Sequence, residues 1–296
     1  MKVIRPAVLG FCIGVRRAVE LGFEKAQTAR KGERIYTLGP LIHNPSVLAN
    51  LKRRGIKAIS SPPFFLKNCT LIIRAHGIDP ALEEKLRLKN VNLLDATCPK
   101  VKKSQIRAKE LAREGYALFL AGEARHAEIA GITGYARYYS KYPSRLFCEA
   151  VSNPAQAKAA ALKLRKIDSN AKTALIAQTT VSVEEYCLIT GTIKEYFPDL
   201  LAEQSICGAT KERQQALRDL LPEIDAVIIA GGKDSSNSRR LFSIAKESGK
   251  PCALIESAAE IPAEFYYYAI VGLCAGASTP DDVIDEIEQS LKCYSK

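Results

Sequence analysis

Short runs of apolar and β-branched residues recur along the chain, and each is followed by glycine or polar residues and then by a helical pattern. This alternation is typical of α/β proteins, because two parallel strands need a helical crossover between them. The predicted strands are Ile35–Leu38, Leu71–Ile73, Ala117–Leu120, Ala174–Ala177, Val227–Ala230 and Ala269–Val271. An opening strand is predicted within Val3–Leu9, where Pro6 interrupts the run. The pattern therefore predicts an α/β fold with parallel sheets.

The composition predicts a folded cytoplasmic protein. The 296 residues are 47% hydrophobic, which is enough to bury a substantial core. The N-terminal stretch lacks the long apolar segment of a signal peptide, and no window reaches the roughly 18 apolar residues that a membrane span needs. We therefore expect no membrane association. The net charge of +11 favours anionic partners such as a phosphorylated metabolite, an acidic protein or nucleic acid.

Three of the nine cysteines share one kind of position. Cys12, Cys98 and Cys207 each follow an apolar segment and open a helical pattern. A helix N-terminus offers unsatisfied N–H groups and the positive end of the helix dipole, so it stabilises a thiolate, the form that binds metal. The three lie far apart and do not form the paired Cys-x-x-Cys of a local zinc site. One thiolate from each of three α/β units fits a shared iron–sulfur centre better.

The other six cysteines fit ordinary packing positions. Free cysteine is among the most buried residue types and behaves as a small hydrophobe. Cys274 is the exception, because it lies in the segment LCAGAS just after a predicted strand. On sequence pattern alone it remains a competing ligand.

All three histidines lie just after predicted strands, at His43, His76 and His126. Ligands of parallel α/β sheets bind outside the carboxyl ends of the strands. Donor-rich loops occupy the same kind of position at 178–180, 231–238 and 276–278. Hydroxyl and amide side chains, N–H groups at a helix start and imidazolium all suit phosphate oxygens. The pattern indicates a phosphate site, although the glycine motifs of a P-loop or a dinucleotide-binding fold are absent from the sequence.

One carboxylate is a candidate for proton transfer. Glu128 lies two residues after His126 in the same segment, and Glu123 is nearby. A glutamate in a loop is usually a solvated surface residue. Glu128 is selected because a carboxyl group placed beside a substrate site can act as a general acid.

A series of short motifs runs through the chain in the order GFCIGV, LIHNPSV, RAHGI, DATCPKV, HAE, QTTVSV, SICGAT, KDSSNS and AGASTPD. The series spans Gly10 to Asp282 and contains every histidine and the three helix-opening cysteines. It resembles the 4-hydroxy-3-methylbut-2-enyl diphosphate reductases, which are iron–sulfur enzymes of the non-mevalonate isoprenoid pathway. Each motif is short, and the ordered set carries the resemblance.

The resemblance implies a trefoil of three α/β domains with a pseudo-threefold arrangement around one central [4Fe–4S] cluster per chain. Cys12, Cys98 and Cys207 would be the protein ligands of the cluster, and the fourth iron would stay open for the substrate. Each domain would contribute one of these cysteines, in chain order. The predicted domains are 1–97, 98–195 and 196–296, the last with a C-terminal tail.

The resemblance also implies the roles of the other site residues. Six side chains would hold the substrate diphosphate, with two secondary contacts beside them. The six are His43, His76, His126, Ser235, Asn237 and Ser278, and the secondary contacts are Thr180 and Ser236. Glu128, assisted by Thr179, would deliver protons.

The implied reaction removes the allylic hydroxyl of the diphosphate substrate as water, with two electrons and two protons, and gives isopentenyl and dimethylallyl diphosphates. Ferredoxin or flavodoxin would supply the electrons. Both carriers are acidic, so the charge of +11 suits their docking. Nucleic acid is not expected as a partner.

The chain departs from the family pattern in two segments. Near the candidate acid, the family pattern has His, Gly, Pro and Glu where this chain has Glu123, Arg125, Ala127 and Ala130. After the third cysteine, the atypical residues are Gly208, Lys211 and Glu212. None of the proposed cluster ligands is missing.

Two other functions compete with the reductase. A nucleic-acid-binding protein would use the excess of lysine and arginine, but aromatic residues are only 7% and tryptophan is absent from the sequence, which argues against base stacking. A zinc-dependent phosphohydrolase would use the histidines as ligands, but they lack the spacing of a zinc site. Salt-resistant retention on nucleic acid would favour the first alternative, and zinc without sulfide would favour the second.

Overall fold

The computed structural model describes residues 1–62 and 67–293, which contain twelve strands and ten α-helices. The strands are β1 (Lys2–Ile4), β2 (Arg34–Leu38), β3 (Ile56–Ile59), β4 (Cys69–Ile73), β5 (Asn92–Asp95), β6 (Ala117–Ala121), β7 (Cys148–Val151), β8 (Thr173–Ala177), β9 (Leu201–Ala202), β10 (Ala226–Ala230), β11 (Cys252–Ile255) and β12 (Ile270–Ala275). The helices are α1 (Ile13–Gln27), α2 (Pro45–Arg53), α3 (Pro80–Leu88), α4 (Pro99–Arg113), α5 (Ala127–Tyr139), α6 (Pro154–Ile167), α7 (Val183–Lys194), α8 (Gly208–Leu220), α9 (Ser236–Glu247) and α10 (Asp281–Cys293).

The chain forms two compact units. The first unit contains residues 1–28, 40–58 and 208–296, and the second contains residues 29–39 and 59–207. Each unit is built from strands that alternate with helices along the chain.

The sheet of the first unit has the strand order β1-β12-β10-β11, and all its pairings are parallel. Every residue of β10 is buried, as expected for a strand with helices on both faces. Ile228 packs in a cluster with residues of α10, whereas Val227 and Ile229 point the other way and pack with residues of α8 and α9. Successive side chains of this apolar strand therefore enter two separate cores.

The second unit contains two parallel sheets. In one, β2, β4 and β5 are neighbours in this order, and in the other the order is β7-β6-β8-β9. All residues of β4, β6 and β8 are buried. The carbonyl of Ile59, the last residue of β3, accepts a hydrogen bond from the N–H of Gly39 just after β2 (2.7 Å).

In each sheet, two neighbouring strands end at residues that pair with each other. Ala230 of β10 pairs with Ala275 of β12, and Ala121 of β6 pairs with Ala177 of β8. In the remaining sheet, Ile73 of β4 pairs with the last residue of β5. Because all these pairs are parallel, the residues that follow both strands of a pair emerge at one edge of the sheet. These edges carry the candidate site residues.

The predicted α/β class is confirmed, with three sheets of parallel strands in the described residues. Five predicted strands fall within β2, β4, β6, β8 and β10, whereas the sixth begins at Ile270 instead of Ala269. The opening strand is shorter than predicted, since β1 covers only Lys2–Ile4 and ends before Pro6. The domain boundaries stay predictions. Within residues 1–62 and 67–293, no helix combines the length and apolar character needed to cross a membrane.

Candidate active site

Cys12 is the N-cap of α1, as the sequence predicts. Its Sγ accepts a hydrogen bond from the N–H of Val15 (3.5 Å), so the thiol faces the free N–H groups of the first helical turn. The N–H of Cys12 donates to the carbonyl of Ala277 (3.1 Å), two residues after the end of β12. The cysteine is therefore fixed between a helix start and a strand end.

Cys98 and Cys207 are anchored in the same way. Cys98 is the N-cap of α4, and its N–H donates to the carbonyl of Ala75 (2.9 Å), two residues after β4. Cys207 directly precedes α8, and its N–H donates to the carbonyl of Thr179 (3.1 Å), two residues after β8. The prediction that each of these cysteines opens a helix is confirmed. All three thiols are only partly buried.

Cys274 differs from these three cysteines in its position, its burial and the pKa of its thiol. It lies inside β12, is fully buried and belongs to the same hydrophobic cluster as Leu217 and Leu241. Burial raises the pKa of its thiol to about 12, although the guanidinium of Arg213 works in the opposite direction. A thiol that resists ionisation is a poor metal ligand. The structure therefore argues against Cys274 as a metal ligand and favours a packing role for it.

In the first unit, the loops after β10 and β12 hold His43 in place. The hydroxyl of Ser278 donates a hydrogen bond to the carbonyl of His43 (3.0 Å). Gly232 lies so close that a methyl group on it would come within 2.4 Å of the same carbonyl oxygen. Glycine is needed at this position because the backbone of the loop touches the backbone of His43. The sequence indicated the loop but not this contact.

Ser235, Ser236 and Asn237 begin α9 and are almost fully buried. Ser235 is the N-cap: its Oγ accepts a hydrogen bond from the N–H of Ser238 (3.4 Å), and its own O–H remains available as a donor. The Oγ of Ser236 accepts a hydrogen bond from the guanidinium of Arg239 (3.2 Å). Both amide atoms of Asn237 are buried with no hydrogen-bond partner among the described residues. A buried, unsatisfied amide at a helix N-terminus indicates a site for a polar ligand.

In the second unit, His76 and His126 lie side by side. Their ring centroids are 5.3 Å apart, with the planes nearly perpendicular. His126 is the N-cap of α5, and its Nδ1 accepts a hydrogen bond from the N–H of Glu128 (3.2 Å). This bond leaves Nε2 of His126 as the nitrogen that carries a proton in the neutral ring. The two imidazole rings therefore lie next to each other in the second unit.

Glu128 is buried and held by Thr179 at both carboxylate oxygens. The N–H of Thr179 donates to Oε1 (2.8 Å) and its hydroxyl donates to Oε2 (2.8 Å). Only 1% of Glu128 is exposed, and burial raises its pKa to about 7 against the opposing effect of the two hydrogen bonds. Glu128 follows β6 and Thr179 follows β8, which are neighbouring strands. The result is a carboxyl group that titrates near neutral pH.

Thr180 is fixed by its neighbour Gln178. The amide nitrogen of Gln178 donates to Oγ1 of Thr180 (2.8 Å), and its amide oxygen accepts a hydrogen bond from the N–H of Glu123 (3.1 Å). Gln178 is buried and therefore ties the loop after β8 to the loop after β6. The sequence placed Gln178 in a donor-rich loop without assigning it this bracing contact.

Gln105 packs closely against Gly77, the residue after His76, and the sequence pattern singled out neither Gln105 nor Gly77. Gln105 lies on α4 and is fully buried. Gly77 follows His76 with φ +81°, and a methyl group on it would lie 2.3 Å from the amide nitrogen of Gln105. A similar methyl group on Gly131 of α5 would lie 2.8 Å from that nitrogen. Close packing of α4 against these backbones fixes the loop that carries His76.

We expect Gly77→Ala to lower the free energy of unfolding by about 2–4 kcal/mol, combining the cost of positive φ with overpacking against Gln105. Gly115→Ala is the matched control, because Gly115 has φ +85° with nothing within 4 Å of the added methyl group. Urea unfolding of both variants measures the difference. Equal losses in the two would contradict the contact with Gln105.

Comparisons with known proteins identify the family of the chain. The family model described as LytB protein matches residues 3–292. The chain therefore belongs to the LytB protein family. A relative from Treponema denticola, named 4-hydroxy-3-methylbut-2-enyl diphosphate reductase, is 42% identical over 98% of this chain and 99% of its own length. A relative with the same name from Aquifex aeolicus is 38% identical over 96% of this chain and 93% of its own.

Two solved structures are similar to this fold. A structure of (E)-4-hydroxy-3-methyl-but-2-enyl diphosphate reductase is 37% identical, with a TM-score of 0.70 and 99% of each chain covered. The reductase from Plasmodium falciparum is 27% identical, with a TM-score of 0.87, and covers 97% of this chain and 87% of its own. The resemblance seen in the sequence is confirmed, and so is the prediction of an enzyme of the oxidoreductase class.

Proposed function

We propose that this chain reduces 4-hydroxy-3-methylbut-2-enyl diphosphate to isopentenyl and dimethylallyl diphosphates. The observation that carries the proposal is the threefold repetition at Cys12, Cys98 and Cys207. Each cysteine stands at a helix start, and its N–H is bonded to a carbonyl two residues beyond the end of a strand. Three equivalent thiols on three such anchors suit a cofactor with three cysteine ligands.

The donor set fits a [4Fe–4S] cluster. Soft thiolates select iron–sulfur clusters over hard-ligand metals, and a helix start stabilises the thiolate. Cys12, Cys98 and Cys207 would hold one cluster per chain. When bound, the cluster supplies electrons and a Lewis-acidic iron. None of the nine cysteines, all of which lie in the described residues, forms a disulfide, as is usual for proteins of the reducing cytoplasm.

The protein residues supply the positioning that a small C5 skeleton lacks. His43, His76 and His126 would hold the diphosphate together with polar side chains from three loops. These side chains are Ser235, Asn237 and Ser278, with Thr180 and Ser236 as secondary contacts. The unsatisfied amide of Asn237 supports this role, because a diphosphate oxygen would accept from its nitrogen.

Glu128 would hold and deliver the protons. With a pKa of about 7, the carboxyl group of Glu128 carries a proton in a large fraction of the protein molecules at neutral pH. Thr179 orients the carboxyl group through both oxygens. In the overall reaction the C–O bond of the allylic alcohol breaks and a C–H bond forms. Two electrons and two protons enter, and the oxygen leaves as water. A small acidic carrier such as ferredoxin or flavodoxin would provide the electrons.

The proposal is tested by incubating the anaerobically loaded protein with the diphosphate substrate and reduced methyl viologen. The expected products are the two C5 diphosphates, with two viologen molecules oxidised for each substrate consumed. Release of inorganic phosphate or diphosphate with no viologen oxidation would contradict the proposal and favour a hydrolase.

A further inference from the structure

Arg213 is a buried cation next to the first cysteine loop. It lies on α8, and only 3% of it is exposed. Its Nη2 donates a hydrogen bond to the carbonyl of Gly10 (2.7 Å), which is 203 residues away in the sequence. Its Nη1 donates to the carbonyl of Ala209 in the first turn of its own helix (2.8 Å). The guanidinium therefore joins α8 to the backbone just before Cys12.

The conformation of Gly10 and one further hydrogen bond also shape this backbone. Gly10 has φ +71°, a conformation that glycine adopts without strain. Two residues later, the N–H of Cys12 donates to the carbonyl of Ala277. The hydrogen bond from Arg213 thus fixes the backbone at Gly10, two residues before Cys12, and so helps to place the Cys12 thiol.

Among the described residues, the guanidinium of Arg213 is hydrogen-bonded only to neutral acceptors. Both of its acceptors are neutral carbonyls, and its Nε is buried with no hydrogen-bond partner in the part of the chain that the structure describes. Across residues 1–62 and 67–293, no carboxylate forms an ion pair with it. A buried charge without a partner is costly, so such a residue indicates that an anion is bound nearby.

We infer that Arg213 is a positioning residue for the iron–sulfur cluster, which fixes the Cys12 turn and compensates the negative charge of the reduced cluster. The inference rests on the proposed function. A cluster ligated by thiolates gains one negative charge on one-electron reduction. In a low-dielectric interior a fixed cation stabilises the more negative form, so it raises the reduction potential.

Two variants separate the charge of Arg213 from its forked geometry. Arg213→Lys keeps the charge but lacks the planar fork, whereas Arg213→Gln keeps an N–H donor for a carbonyl but has no charge. Lys211→Gln is the control, because Lys211 is an exposed cation on the same helix. Each protein is loaded anaerobically. The potential is measured by redox titration with EPR detection, and iron loss is followed in the presence of a chelator.

We expect the potential to follow the charge. At a fixed poise, the ratio of reduced to oxidised cluster should fall about tenfold in Arg213→Gln, which is ~59 mV for a one-electron couple. Arg213→Lys and Lys211→Gln should stay close to the wild type. The rate of iron loss should instead depend on the planar guanidinium and its two hydrogen bonds. It should therefore be faster in both Arg213 variants than in the control.

Equal potentials in Arg213→Gln and Arg213→Lys would overturn the inference while leaving the proposed function intact. The same holds if Lys211→Gln shifts the potential as much as Arg213→Gln does. If Arg213→Gln does not fold, Arg213→Lys still tests the charge: a potential ~59 mV below that of the wild type in this variant, which keeps the charge, would overturn the inference in the same way. A wild-type protein that binds no cluster would contradict the proposed function itself, and the inference with it.

Discussion

Replacing Glu128 by Gln is expected to lower turnover by about 100-fold to 10,000-fold, the usual contribution of a general acid, with no loss of iron or sulfide. The amide has nearly the shape of the carboxyl group but no proton to give at neutral pH. Steady-state turnover with reduced methyl viologen measures the effect. Glu123→Gln is the matched control, because Glu123 is an exposed acid in the same segment and should keep wild-type turnover.

The pH dependence of the wild type follows from the same carboxyl group. Burial raises the pKa of Glu128 to about 7, so the acid form persists to neutral pH and is lost as the pH rises above that value. Turnover at saturating substrate should therefore fall about tenfold per pH unit well above the pKa. The residual turnover of Glu128→Gln should not show this step. If wild-type turnover stays constant over about three pH units, from roughly pH 6 to roughly pH 9, Glu128 does not take part in proton transfer.

Replacing Cys98 by Ser is expected to abolish both the visible absorbance of the cluster and turnover. A serine hydroxyl is not ionised at neutral pH, and the loss of one of three thiolates leaves one more iron of the cluster without a protein ligand. Cys148→Ser is the matched control. Cys148 lies in β7, and burial raises the pKa of its thiol to about 11, so it is not suited to metal binding. A Cys98→Ser protein that keeps its cluster would refute the proposed ligands.

The parts of the fold that were predictable are those with a local cause. Apolar runs such as Val227–Ala230 are strands in the structure because they are buried on both faces, and a continuous apolar run is the pattern of such a strand. The edge strands β3, β5, β7, β9 and β11 were missed. They are two to four residues long and only partly buried, so pairing with a central strand makes them strands, and that pairing is not visible locally.

The same distinction applies to the site. The helix-start position of Cys12 is local, since the apolar segment before it and the helical pattern after it are visible in the sequence. The bonds from Thr179 to Glu128 are not local, because the two residues are 51 positions apart and meet only where β6 and β8 end side by side. The contact between Arg213 and Gly10 joins residues that are even farther apart in the sequence, at 203 positions. Sequence pattern identified Glu128 but gave no reason for its raised pKa.

Iron, acid-labile sulfide and zinc analysis of the anaerobically purified wild-type protein, together with its visible spectrum, tests whether the chain holds an iron–sulfur cluster. We expect a brown protein with equimolar iron and sulfide and no stoichiometric zinc. A colourless protein that cannot be reconstituted, or one that contains zinc without sulfide, would contradict the claim that Cys12, Cys98 and Cys207 hold an iron–sulfur cluster.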